Sequence, residues 1–308
     1  MRKFLDITPN IDFMKLKKFG YIFSSIMVLL SVAIIYFKGF NLGLDFTGGT
    51  AIQIRFEKPI DIKTLRDALK DINLEDSVIQ EIGKNKRDYE IRVSLKKGSS
   101  KEIYRKVKTV LDKHFPNQYE ILKLDYIGAV IGKELREASI YSIIAVMVAI
   151  LVYVAYRFEP VFAIGAIVPL FHDALITMGI FSAFSIEVDL SVVAAILTVL
   201  GYSLNDTIII FDRIRENIRI RGKKNLLLLI NQSINENLSR TVITSGTTLF
   251  SVLALYLFGG ESLKNFSLAL LIGIIVGTYS SIYVASPIVA DLERYLRKKG
   301  RKYSQVGV

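Results

Sequence analysis

The sequence predicts a polytopic α-helical membrane protein with six transmembrane helices and a small α+β domain set between the first two. Three observations predict it. First, uncharged runs reach membrane length: 19 residues from Phe19 to Phe37, 19 from Ala138 to Tyr156, 20 from Thr241 to Gly260 and 26 from Asn265 to Ala290. About 20 helical residues cross a hydrocarbon core of about 30 Å, and runs above about 18 apolar residues read as spans. Second, the block between the first two runs alternates strand-period and helix-period patterns. Third, Lys and Arg crowd the segments that would lie on one side of a membrane. The runs exclude an ordinary soluble enzyme. They also exclude a transmembrane β-barrel, whose strands are about 9–11 residues long and alternate.

The first span, 19–37, follows a basic segment with Arg2, Lys3, Lys15, Lys17 and Lys18. Its apolar run is longer than a signal-peptide core of about 7–15 residues. Lys38-Gly39-Phe40-Asn41 after it offers no small-x-small cleavage site, so an uncleaved span is expected.

Residues 38–137 read as a domain and stalk on the trans side. Ile52, Ile54 and Phe56 alternate with Gln53 and Arg55, a half-buried strand. Ile62, Leu65, Ala68, Leu69 and Ile72 follow at helical spacing, and a short strand is expected near 77–82. Tyr89, Ile91, Val93 and Leu95 then alternate with Glu90, Arg92 and Ser94. Ser99 and Glu102 have capping-box spacing before a helix striped by Ile103, Val107, Val110, Leu111 and Phe115. Leu122, Leu124 and Tyr126 mark the last strand. The order βαββαβ is the ferredoxin-like pattern, which carries no chemistry by itself. Residues 128–137 read as a helical stalk into the second span.

Spans two to six are expected at 138–157, 160–185, 190–211, 241–258 and 265–290. The third contains His172 and Asp173 as its only ionisable residues, and the fourth only Asp206. The short link Glu187-Val188-Asp189 makes spans three and four a helical hairpin. The segment 212–240 reads as a basic loop and 291–308 as a basic tail. An even number of spans puts both termini on one side. The positive-inside rule places 1–18, 212–240 and 291–308 in the cytoplasm. Long translocated domains escape that rule, so the basic 38–137 block is compatible with the trans side.

Net charge is +11, from 40 Lys and Arg against 29 Asp and Glu. Orientation in the membrane accounts for it without nucleic acid. The basic segments also suit anionic lipid headgroups or an acidic partner. There is no cysteine, so disulfides, thiolate catalysis and cysteine–zinc sites are excluded. His114 and His172 lie far apart in the chain, which argues against a histidine metal centre. No cofactor and no metal are expected. With no tryptophan, any aromatic belt uses Tyr and Phe.

Gly43-Leu-Asp-Phe-Thr-Gly48-Gly49-Thr50 resembles a phosphate loop only superficially. A P-loop needs Lys where Gly49 stands and a helix after it, whereas a strand follows. The stretch reads as a tight turn where the chain leaves the membrane.

Asp206 is the sharpest candidate, because an ionisable group inside a span is costly and is functional by default. Thr198, Tyr202 and Asp206 recur every four residues as one polar stripe. The alternative is a structural hydrogen-bonding Asp near the helix end, beside Asn205. Arg240, Thr244, Thr247, Thr248 and Ser251 form a second stripe on span five. If Asp206 meets Arg240, burial and the guanidinium pull oppositely on its proton, the logic of a relay. Otherwise Arg240 is an ordinary positive-inside anchor. His172-Asp173, with Thr177 one turn on, is either a titrating pair or a polar packing pair. Gly273 and Gly277 form a GxxxG, and 244–248 is a run of small residues; both permit close helix packing.

These residues taken together resemble the SecD/SecF family of protein-export membrane proteins, on the SecF side. The stretches that carry the resemblance are Asn10-Ile-Asp-Phe-Met14, Gly43 to Thr50, His172-Asp173, Gly201-Tyr-Ser-Leu-Asn-Asp-Thr207, Phe211-Asp-Arg-Ile-Arg-Glu-Asn217, Arg240-Thr-Val-Ile-Thr-Ser-Gly-Thr-Thr248 and Tyr256-Leu-Phe-Gly-Gly260. The resemblance implies half of an RND-like architecture that pairs with SecD and associates with the SecYEG channel. It implies use of the proton-motive force to draw a secretory preprotein out on the trans side. It also implies that Asp206 and Arg240 take part in proton movement, with a further carboxylate on SecD. Tyr202, Asn205, Thr244, Thr248, His172 and Asp173 are candidates for an accessory polar path. The energy scale is adequate, since one charge crossing 100 mV releases about 2.3 kcal/mol. Two other readings remain: an RND-type half-transporter exporting small molecules or lipids, and a structural scaffold. A membrane enzyme lacks any nucleophile or metal motif.

Overall fold

A computed structural model describes residues 9–75, 77–83, 85–94, 99–222 and 225–298. Leu95, the end of the tail and the first residues of the chain lie outside these. A 3-10 turn, Met14–Leu16, leads into α1 (Lys17–Lys38). Then come β1 (Asn41–Leu42), α2 (Leu44–Thr47), β2 (Gly49–Phe56), α3 (Ile62–Leu69), a 3-10 turn (Lys70–Ile72), β3 (Val78–Ile82), β4 (Asp88–Ser94), α4 (Ser100–His114) and β5 (Tyr119–Ile127). The remainder is α5 (Ala129–Arg157), α6 (Pro160–Ala183), β6 (Glu187–Val188), α7 (Leu190–Arg221), α8 (Leu226–Phe258), α9 (Glu261–Ser280), a π turn (Ser281–Ala285) and α10 (Ser286–Lys298).

Among the described residues, six helical stretches are long and apolar enough to cross a membrane: Met14–Lys38, Val130–Arg157, Pro160–Ala183, Leu190–Arg221, Leu226–Phe258 and Ser262–Leu296. The chain is a multi-pass membrane protein. α6, α7 and the α9–α10 rod are the most buried, with α1, α5 and α8 around them. Stripes of small residues let the central helices approach. A Cβ on Gly273 would meet Val199, and one on Gly277 would lie 3.0 Å from Ser203 Cβ, so α9 seats directly on α7. Likewise Gly179 of α6 leaves room for Ser31 of α1.

Two expected boundaries are corrected. The segment 212–240 is not a loop: α7 runs on to Arg221 and α8 starts at Leu226. These helices have 32 and 33 residues, well beyond the roughly 20 that cross hydrocarbon. Hydropathy marks where the lipid ends, and helicity persists because the two arms pair. Ile214, Leu229, Ile230 and Ile234 are buried. Arg213 Nε donates to Glu236 Oε2 at 2.6 Å, and Asn217 Nδ2 to Ser233 Oγ at 2.9 Å. The sixth span also extends beyond 265–290, over Ser262–Leu296, and passes through the π turn.

In the sheet domain the strand order is β3-β4-β2-β5, all neighbours antiparallel. This is the order of a split-βαβ unit, each helix joining strands two places apart. Ile52, Ile54, Phe56, Leu65, Leu69, Tyr89, Ile91, Ile103, Val107 and Leu111 fill the core. Phe56 meets Phe115 edge-on with ring centroids 5.1 Å apart. The alternation expected along β5 is broken. Gln53 faces Lys123 and Ile54 faces Ile121, so Leu122 is a bulge without a partner. Tyr119 and Ile121 pack on the core; Leu124 and Tyr126 stand opposite Ile52 and Thr50 but are exposed, as is Leu122. The capping box is half-formed: Glu102 accepts from the Ser99 N–H, but the Ser99 hydroxyl makes no cap bond.

The turn expected at Gly43–Thr50 holds the one-turn helix α2. Gly48 sits at φ 67°, and a Cβ on Gly49 would lie 2.5 Å from Val93 O, so both positions demand glycine. β1 pairs in parallel with β6, the tip of the α6–α7 hairpin. Asp45 Oδ2 accepts from Leu190 N at 2.9 Å, and Asn41 Nδ2 donates to Ser185 O at 2.9 Å. Arg92 of β4 bridges Glu90 and Glu187. The sheet domain is thereby clasped to the tip of the hairpin that carries Asp173 and Asp206.

Candidate functional site in the helix bundle

The centre of the bundle holds two buried carboxylates. Asp173 of α6 and Asp206 of α7 are 0% and 1% exposed. Burying an ion is costly unless donors surround it, so the partners define what each group can do.

Asp173 has three side-chain partners. His172 Nδ1 lies 2.8 Å from Oδ1, while Ser203 and Ser280 donate to Oδ2 at 2.5 and 2.8 Å. Thr177 instead donates to the Asp173 backbone carbonyl at 2.8 Å. Ser203 belongs to α7 and Ser280 ends α9, so one carboxylate ties three helices. The His172 ring stacks on Tyr279 at 6.2 Å between centroids.

Asp206 is more sparsely served. Ser245 Oγ of α8 donates to Oδ2 at 3.3 Å, and Oδ1 has no partner among the described residues. Thr278 Oγ1 of α9 lies 2.9 Å from Ser245 Oγ, and Tyr202 OH lies 3.4 Å from it. The neighbouring Thr207 hydroxyl is also buried and unpaired. An oxygen left without a donor in such a place is where a proton adds at least cost.

The structure thus brings together some sequence candidates and separates others. Asp206, Tyr202 and Ser245 converge. Arg240 forms no ion pair with Asp206 among the described residues: its side chain is exposed, although its charge acts on Asp206 through space. Asn205 is exposed as well. Thr244 and Thr248 hydroxyls bond back to carbonyls of their own helix. Ser203, Ser245, Tyr279 and Ser280 reach the carboxylates or the imidazole, and Thr278 reaches Ser245, without having been singled out for that. Their signal was spacing: Ser203 lies one turn before Asp206, and Ser280 three residues after Gly277.

The family model for the SecD/SecF C-terminal portion of protein-export membrane proteins matches residues 106–295, and one for the SecD/SecF GG motif matches residues 33–60. The protein translocase subunit SecF of Desulfurispirillum indicum is 41% identical over 96% of this chain and 98% of its own. The chain belongs to the SecD/SecF family. The SecF subunit of Haemophilus influenzae is 43% identical over 92% of this chain and 86% of its own. The crystal structure of SecDF, a translocon-associated membrane protein from Thermus thermophilus, superposes with TM-score 0.83 at 35% identity over 94% of this chain. SecDF in its super-membrane-facing form gives TM-score 0.67 at 33% identity over 95%. This SecD/SecF family member spans 39% and 40% of those two chains. The GG-motif match covers Gly48 and Gly49, the pair whose backbone and packing exclude a side chain. The C-terminal match covers both carboxylates.

Proposed function

We propose that this chain acts as the SecF subunit of a SecD–SecF pair in the inner membrane, with both termini cytoplasmic and the sheet domain on the trans side. The pair assists SecYEG by using the proton-motive force to draw a secretory preprotein outward. The chain carries ions rather than performing catalysis. Asp206 takes up and releases the proton, and Arg240 offers a positive charge near its exit. Tyr202 borders the path through Ser245, and His172 and Asp173 form an accessory polar site. Membrane lipids cover the remaining apolar helix faces.

The observation that carries this reading is the Asp206 carboxylate: buried between α7, α8 and α9, with one oxygen held by Ser245 and the other free. A purely structural Asp would be expected to have both oxygens paired. The clasp at β1, β6 and Arg92 supports a motor role, because it links the charge-bearing hairpin to the outer domain. A small-molecule half-transporter is less well supported, since the sheet domain has a filled single-layer core.

The test uses the chain with its SecD in membrane vesicles holding a defined proton gradient. Asp206→Asn is nearly isosteric and cannot ionise. The expected result is loss of gradient-dependent export with ATP-driven export intact and assembly unchanged. Unaltered export would make Asp206 a packing residue and the chain a scaffold.

A further inference from the structure

We propose that His172 is a second proton-binding station in this chain, with Asp173 as its fixed counter-charge; this rests on the proton-coupled reading above. The imidazole is 5% exposed, and its Nε2 has no hydrogen-bond partner among the described residues. An ionised carboxylate only accepts, so the Nδ1 that lies 2.8 Å from Asp173 Oδ1 carries the hydrogen. That leaves Nε2 as a bare lone pair in the bundle interior. Both oxygens of Asp173 are committed to donors from His172, Ser203 and Ser280. A proton arriving here therefore has Nε2 to bind. Its uptake converts a buried single negative charge into a neutral ion pair, which lowers the cost of burial.

The surroundings suit a gated site. From α9, Tyr279 covers the ring, and Tyr283 of the π turn stacks on Tyr279 at 5.3 Å. From α1, Ser24 Oγ lies 3.0 Å from the Tyr279 hydroxyl, which donates to Gly20 O at 3.1 Å. Tyr21 of α1 is engaged with Asp291 of α10, as is Lys17. α5 brings no charged side chain between Glu137 and Arg157. α7 contributes Ser203 here, and its Asp206 is bonded to Ser245 instead. Among the described residues, no positive side chain pairs with Asp173 apart from the imidazole. Tyr279 and Ser280 immediately precede the π turn, a break in the helix of the kind often found at functional positions. A shift of that turn moves together the ring over His172 and the serine on Asp173.

The test is nitrogen-15 spectroscopy on this chain, labelled at histidine, assembled with unlabelled SecD in lipid nanodiscs. The chain has two histidines, so His172→Gln and His114→Gln each assign the signals by difference. The expected result is an imidazole that carries a hydrogen on Nδ1 throughout and takes up a second proton on Nε2 when the pH is lowered. Asp173→Asn should weaken that uptake at least tenfold. His172→Gln should abolish gradient-dependent export while ATP-driven export remains. An Nε2 that stays bare, a hydrogen on Nε2 with none on Nδ1, or unaltered export by His172→Gln would overturn the proposal. The Asp206→Asn background separates the two readings: uptake at Nε2 persists there if His172 is its own station, whatever Asp206 does to export.

Discussion

At the residue scale, the hydroxyls of α8 show how one helix face divides its work. Thr244, Thr247, Thr248 and Ser251 share a stripe that looks like a continuous polar path, yet each bonds a carbonyl one turn back on its own helix. Ser245, one position off that stripe, reaches Asp206. Ser245→Ala should therefore reduce gradient-dependent export several-fold, because it removes the only donor on Asp206 among the described residues. Thr244→Ala and Thr248→Ala should leave it within about twofold, since each gives up a local backbone bond of little net worth. Export by the three variants at equal assembly is the measurement.

At the element scale, the polar contacts that matter lie between elements rather than within them. In the sheet domain, Asp71 at the end of the α3 region receives Lys113 Nζ at 2.8 Å and has His114 Nε2 at 2.9 Å, both from the end of α4. Those two groups hold the Asp71 carboxyl down at about 2, below its ordinary 3.8. A carboxyl with a depressed folded value stabilises the fold above its unfolded value and loses that contribution as pH falls through the folded one. The bridge should be intact above about pH 4 and lost on approach to pH 2. Protection of the amides at 69–72 and 111–115, taken relative to their intrinsic exchange rates, should fall across that window, and Asp71→Asn should show the lower protection already at pH 5. The site is exposed, so the effect is local.

The same scale explains what the elements of the bundle do. The sequence marked the ends of lipid crossing at 211 and 241, but hydropathy is blind to a helix that continues in water. α7 and α8 extend because Arg213, Glu236, Asn217 and Ser233 pair across them. The break in the last span was equally hidden. Nothing in Ser280-Ser281-Ile282-Tyr283 marks a π turn by composition; Ser286 Oγ donating to Ser281 O at 2.9 Å is one bond that accommodates it.

On the scale of the whole molecule, a domain of water-soluble type is held to the tip of one membrane hairpin. Arg92 and Glu187 are the charged part of that clasp, and both are largely shielded from solvent. Burial pushes the Glu187 carboxyl up, Arg92 pulls it down, and Asp189 and Glu90 push it up again, leaving it above its ordinary value. Arg92→Ala removes the pull, so the clasp loses charge-assisted bonds worth about 1–3 kcal/mol. Faster amide exchange is expected at 41–43 and 187–189, together with weaker gradient-dependent export. With exchange accelerated and export unchanged, the clasp would be structural and the force would travel by another route.

The sequence by itself determined the number of spans, the strand and helix order of the outer domain, and the interior placement of His172, Asp173 and Asp206. Each follows from local chemistry: a run of apolar residues, a period of two or of 3.6, a charge where lipid forbids one. Tertiary structure alone decided the rest. Arg240 was one helical period from Thr244 on paper but turns outward, because position along a stripe does not fix which neighbour a helix meets. Leu122, Leu124 and Tyr126 marked the last strand by their spacing, but only the fold shows that Leu122 is a bulge and that all three are exposed. The serines that hold Asp173 come from α7 and α9, some 77 positions apart in the chain (280 − 203). Periodicity within one helix carries no information about such a meeting, because it is set by how three helices pack.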